Sequence, residues 1–418
     1  MAIDAATIWE LTDSGNAING GGFADLNPGT SVDYSQQDDP EESWSDLAMT
    51  TGGTTLTSAT GGFTAAMEGN VIRIEAGTHF VQGYYQVTGF NSSNSIEIDR
   101  DATDGSSASA GEGRLGGAIS DITDDFMEAV VAGNRIWQKS GTYTLAENIE
   151  ISSAGTNTLP IRWDGYGVER DDWPYNSRRP LIECGVYSFS LPAYWVLSHL
   201  SFQTAHANGL AITSAAVMLI NIEVEQTAAG NDCIKIDNAG NMGVRLILCN
   251  IHNSAGSPTG NGVYCDGHQV VLDSCYIHDV GTGIKVDVNG INLITTSCIL
   301  DTCANGYDLG ADRPYIRWGT IYNCTKGIKG NVAENNHIRN TIIDTCTTGV
   351  EWTGAQIVFM DYNNWNGNGT DISGAGVTKG SHATAFDPLF TNAAAGNFAL
   401  QAGSPVIQAG ARIRVGVG

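Results

Sequence analysis

Three groups of side chains in this sequence have the types and spacing that chemistry needs. The first is Asp237, Asp266 and Asp287, each placed three residues after the apolar residue that opens a recurring phrase (GNDCIKID, GNGVYCD, GTGIKVD). If the phrases stack as strands, the carboxylates lie one above another about 5 Å apart. Like charges that close raise one another's pKa or attract a cation, and an all-oxygen donor set suits calcium. The same spacing suits two-carboxylate glycoside cleavage. The structural alternative is a solvated acidic ladder relieved by Lys235 and Lys285. The second group is aromatic: Trp352, Tyr362 and Trp365 sit near the last phrases, where a platform for sugar rings would need them. The third is His252 and His278, at equivalent points of two phrases, with Asp279 beside His278 in the order of a base and its orienting acid.

Weaker matches carry less. Gly111, Gly113 and Gly116 fit a dinucleotide fingerprint by letters alone, because the stretch 101–117 reads as a Gly/Ser/Ala linker with no strand before it. Asp99 to Gly105 has acidic residues at calcium-loop spacing, but its Gly is displaced and the closing Glu is missing.

The elements that must position these groups follow from a repeat. Leu210, Ile234, Val263, Ile284, Tyr307, Ile328, Val350 and Ile372 open successive copies of one phrase. A second phrase, CNIHNS at Ile251, CYIHDV at Ile277, CILDTC at Ile299, TIYNC at Ile321 and TIIDTC at Ile342, keeps the same beat between them. A period of roughly 20–30 residues marks a solenoid. Inside each phrase the apolar residues alternate, which is strand periodicity, and Gly, Asn, Asp and Ser break the runs. Strands that pair with their own copies one turn later give a right-handed parallel β-helix, an all-β solenoid of roughly ten or eleven coils about 4.8 Å apart.

Around the repeat, residues 1–118 read as a small N-terminal β domain. Strands are expected at Ile8 to Leu11, Val71 to Glu75, Tyr84 to Phe90 and Ser95 to Asp99. A short amphipathic helix after Asp121, capped by Ser120 or Asp121, would plug the open end of the solenoid. Residues 119–410 are then the β-helix and 411–418 a tail.

The repeat, with its GNRIWQKSGTYTL entry and its FDPLF and GNFALQAGSP closing segments, resembles the pectate-lyase-like β-helix superfamily over roughly residues 130 to 410. That superfamily includes many phage tailspikes and other virion proteins. The N-terminal combination of IWEL, a triple-Gly turn, DYSQQD and GNVIRIEAGTHFVQGYYQV is similar to phage-encoded β-helix proteins. GNDCIKI resembles the GDDC phrase of polygalacturonase-type glycosidases. Here Asn231 replaces the first acid, ANGLAI stands where NTDG would, and NGVYCDGH replaces GHG. The two-carboxylate chemistry of that family is therefore not carried over.

Composition narrows the partners. The formal net charge of −25 repels phosphate backbones and anionic membranes, so neither nucleic acid nor membrane is expected. All nine Cys lie between Cys184 and Cys346 without zinc-site spacing, and read as small buried thiols suited to a reducing compartment. The N-terminus lacks the basic and apolar regions of a signal peptide. What the resemblance implies is a non-enzymatic phage virion structural protein, a spike or a capsid or tail decoration, made in the host cytoplasm. It would join other virion proteins through residues 1–118 as a homotrimer, with a host surface glycan as a further partner. No resident cofactor is expected, calcium at the acidic ladder being the one candidate. The alternatives are a polysaccharide-degrading tailspike, lyase or glycosidase, and a carbohydrate-binding adhesin.

Overall fold

The computed structural model describes residues 3–172, 179–237, 243–311, 313–331, 336–354, 358–375 and 377–410. They form two compact units, residues 1–187 with 192–201 and residues 188–191 with 202–418. The expected tail, 411–418, lies outside the described residues.

The second unit is a right-handed parallel β-helix with three walls. Each coil contributes one short strand to each wall, and each strand pairs in parallel with its copy one coil on. The third wall is the recurring phrase itself, from Phe189–Leu191 to Thr370–Ser373. Its register runs Leu210, Ile234, Val263, Ile284, Tyr307, Ile328, Val350, Ile372, as the spacing predicts. All but the terminal Ile372, which is half-buried, are inside the core.

The second wall is shifted by one residue from expectation at two places. Its inward row is Ile251, Ile277, Leu300, Ile321 and Ile343. Ile299 and Ile342 therefore face outward, because a strand's side chains alternate and a one-residue slip changes the face. CILDTC and TIIDTC each offer two adjacent apolar residues, so pattern alone cannot choose between them.

Between the first and second walls the chain turns through a single residue with positive φ: Asn221, Leu248, Ser274, Ser297, Trp318, Asn340 and Tyr362. The corner amide donates to the next coil, as from Leu248 to Asp273 O (2.9 Å) and from Ser274 to Thr296 O (2.9 Å). Just inside this corner stand Cys249, Cys275 and Cys298, whose thiols donate to Leu219 O, Leu246 O and Leu272 O of the preceding coil. All nine cysteines are free and buried.

In the first unit six antiparallel strands close a barrel: Glu42–Met49, Thr55–Ser58, Ser95–Ile98, Gly83–Ser92, Val71–Thr78 and Ala108–Leu115. Its core holds Leu47, Leu56, Ile72, Val87 and Ile96. The 101–117 stretch is thus no linker, since its second half is the closing strand. Gly111 and Gly113 are there because a β-carbon would meet Phe80 Cε2 at 2.5 Å and Leu47 Cδ1 at 2.7 Å.

The barrel is an insertion rather than a leading domain, so a boundary at 118 cuts the wrong bond. Ile8–Leu11 is a wall strand, parallel to Arg135–Lys139 in the register Ile8 to Arg135 and Leu11 to Gln138. Ile161–Tyr166 and Trp195–Ser198 follow on the same sheet. The barrel's two connections run side by side, Gly20 and Gly21 donating to Gly116 O and Gly117 O. The expected helix spans Asp124–Ala129 and is capped by Thr123, whose Oγ1 accepts from Phe126 N, rather than by Ser120 or Asp121. Its buried Phe126 meets Trp9 edge-on, with centroids 5.4 Å apart.

The closing segments fold back instead of adding coils. Phe390–Asn392 and Asn397–Leu400 form an antiparallel pair, and Phe398 packs on Tyr276 and Tyr322 of the second wall.

Ile284→Ala should cost about 2–5 kcal/mol in denaturant unfolding, and the outward Ile299→Ala under about 1.5 kcal/mol. Equal costs would refute the register. Replacing residues 24–115 with a short Gly/Ser bridge should leave a folded, cooperatively melting solenoid. Removing 1–118 takes the Ile8–Leu11 strand as well and should lower the melting temperature relative to that variant.

Candidate functional site

The outer face of the third wall carries the first of the groups singled out in the sequence, the acidic one with its two lysines. Register sets Lys235, Tyr264 and Lys285 side by side. The strand-end amides of Asp237, Asp266 and Asp287 bond to Ile212 O, Ile236 O and Cys265 O, so the three acids do occupy successive coils.

Their carboxylates, however, turn to separate partners. Asp237 meets Lys235 Nζ at 2.9 Å. Asp287 Oδ2 accepts from the Tyr264 hydroxyl at 2.5 Å, and its Oδ1 accepts from Val288 N at 2.8 Å. Asp266 Oδ2 accepts from Asn289 Nδ2 at 3.4 Å, while Oδ1 is buried without a hydrogen-bond partner. The Tyr264 ring lies between two ammonium groups, 5.7 Å from Lys235 Nζ and 5.4 Å from Lys285 Nζ. The Tyr264 hydroxyl holds the Asp287 carboxyl below its usual range. Burial, and then the same hydrogen bond, push the Tyr264 phenol up. Among the described residues no group of three or more His, Cys, Asp or Glu converges in a way that could hold a metal.

Asp232, the acid of GNDC, is a clamp between coils. Its Oδ1 accepts from Asn261 N (3.1 Å) and Asn261 Nδ2 (2.7 Å). Burial raises its pKa against the pull of those bonds.

On the second wall the rings of His252 and His278 stack with centroids 4.9 Å apart and planes 7° from parallel. Tyr276 stacks on His278 at 4.3 Å. Glu223 lies 3.5 Å from His252 Nε2, and Asp279 lies 2.7 Å from His278 Nδ1. The Tyr276 hydroxyl donates to Asp301 at 3.0 Å. The pairing of His278 with Asp279 is thus present, inside a continuous stack of rings and acids.

The aromatic platform of Trp352, Tyr362 and Trp365 does not form. Trp352 is 0% and Trp365 2% exposed, both core residues. Trp352 points inward because its partner one coil back is Gly330, where a β-carbon would sit 2.0 Å from Trp352 Cζ3. That glycine, in a position held by Leu309 one coil earlier, was the available signal. Tyr362 is separate from both. It occupies a corner at φ 58°, stacks on His382 at 4.2 Å, and lines a cleft with Trp318, Asn340 and Phe398. Trp318 was missed because the corner row reads as polar punctuation in most coils.

No known family profile matches this chain, and no curated protein does. Solved structures with a similar fold include pectate lyase Pel9A, at 13% identity over 72% of this chain and 88% of that one, with TM-score 0.42. A PL6 family polysaccharide lyase from Pseudopedobacter saltans matches at 14% identity over 67% and 68%, with TM-score 0.40. The catalytic unit of a GH87 alpha-1,3-glucanase from Streptomyces thermodiastaticus matches at 9% identity over 82% and 89%, also with TM-score 0.40. At these values the likeness carries no argument about activity.

Tyr264→Phe removes the largest contact that holds the Asp287 carboxyl down. Its titration, followed by NMR, should move up toward the ordinary carboxylate range. With the folded pKa depressed, this carboxylate's stabilising contribution is present above the unfolded pKa and lost as pH falls through the folded one. The variant should therefore lose less stability across that acid window. An Asp287 titration unchanged by the substitution would remove Tyr264 as the cause.

Proposed function

We propose that this chain is a non-enzymatic structural protein of a phage-type particle, a β-helical spike or decoration protein. The observation that carries the reading is how the walls use their reactive side chains. Asp237 is tied to Lys235, Asp287 to Tyr264, Asp232 to Asn261, Asp301 to Tyr276 and Lys329 to Asp308. All but the Lys235 pair bridge neighbouring coils, so they lock a scaffold rather than wait for a substrate. The inserted barrel, joined through two adjacent connections, is the attachment module to other virion proteins. Three copies associating side by side with closed symmetry would avoid open-ended growth. Nine buried free thiols suit synthesis in a reducing cytoplasm.

One observation favours a second reading, polysaccharide cleavage at the third wall. A phenol 2.5 Å from a carboxylate, between Lys235 and Lys285, is a proton-transfer pair beside cationic charge.

Mass spectrometry of purified particles should find the chain in them, and light scattering should give a trimer mass. Absence from particles would remove the first reading. Depolymerase activity lost in both Tyr264→Phe and Asp287→Asn would establish the second. Because the three ladder carboxylates face separate partners, a chelator should leave the melting temperature unchanged. A fall on chelation would instead reveal a cation bound to the folded state at Asp237, Asp266 and Asp287.

A further inference from the structure

A cleft in the second unit lies between the corner row and the returning C-terminal segment. It has a volume of about 850 Å³, within the roughly 300–1,000 Å³ of ordinary ligand sites. We infer that this cleft is a binding site for a neutral saccharide.

The lining makes the case. On a chain of net charge −25, none of the described side chains that line the cleft is charged. An ionic ligand would find no counter-charge there, and an unpaired charge is costly to desolvate. Three aromatic rings, Trp318, Tyr362 and Phe398, line the cleft, and the hydroxyl of Thr320 and the amide of Gln408 supply donors and acceptors. Apolar ring surface together with amides and hydroxyls suits a sugar, which offers apolar C–H faces and a rim of hydroxyls.

The backbone adds an independent observation. Trp318 and Tyr362 both sit at φ 58°, in a row otherwise filled mostly by Asn and Ser. Bulky side chains are uncommon in the left-handed region, where Asn is favoured. Trp318 is also 42% exposed, so core packing does not account for it. What the two aromatic corners share is that both face the cleft. Asn364, also in the lining, is already satisfied, accepting from Thr384 Oγ1 and Phe386 N, and so holds the wall rather than the ligand.

The inference stands whether or not the protein belongs to a particle, and its test needs only the purified full chain. A glycan array bearing neutral, sialylated, uronate and sulfated glycans selects the best neutral oligosaccharide for calorimetry at low and high salt. Neutral glycans should bind with a Kd insensitive to salt. Trp318→Ala and Tyr362→Ala should each weaken binding about tenfold or more. Trp318→Phe, which keeps a ring, should recover part of the loss. Tyr315→Ala, an exposed aromatic outside the cleft, should leave affinity unchanged. The inference is overturned if no neutral glycan binds, if anionic glycans bind preferentially with strong salt dependence, or if Trp318→Ala keeps wild-type affinity.

Discussion

Closeness between coils is the constraint on which the third wall depends. Gly262, Gly283, Gly306 and Gly327 form a column where each strand enters the wall. A β-carbon on any of them would lie 2.7, 2.6, 2.4 and 2.5 Å from the carbonyl oxygen of the glycine one coil on. No real β-carbon tolerates such distances, so the repeated Gly of GNGV, GTGI, ANGY and TKGI is a steric requirement. The column brings the strands into pairing distance. Pairing then fixes which side chains point inward, and that in turn decides which outer residues become neighbours.

That chain of dependence explains what the sequence made legible. The third wall could be read to the residue, because its Gly, its alternation and its spacing all agree, and Asp237, Asp266 and Asp287 stack where expected. The second wall was ambiguous wherever two apolar residues were adjacent, as at Ile299–Leu300 and Ile342–Ile343. The closing strand of the barrel was read as a linker because its Gly, Ser and Ala fill space left by Phe80 and Leu47, residues far away in sequence. Small residues chosen for close approach look like residues chosen for flexibility.

The site was legible only in part, for a related reason. Residue type predicted which groups could do chemistry, but direction depends on each partner one coil away. Asp287 is drawn to Tyr264 and Asp237 to its own Lys235, so a stacked ladder of acids becomes separate ties. Trp352 and Trp365 are of the right type for sugar binding and face the core. Trp318, at a corner that most other coils fill with Asn or Ser, faces outward.

The strand Ile8–Leu11 has a kinetic consequence. Most wall strands find their partner a single coil away, so their contacts close short loops, which is entropically inexpensive. Ile8 must instead find Arg135 across the whole inserted barrel. Once the barrel has folded, Gly21 lies hydrogen-bonded beside Gly117, and the open search shrinks to a few residues at either end. Folding of the barrel therefore sets the order of assembly: it delivers the edge strand to the solenoid, and a chain whose barrel is slow to form would leave the edge at Arg135–Lys139 unpaired and open to another chain in the meantime.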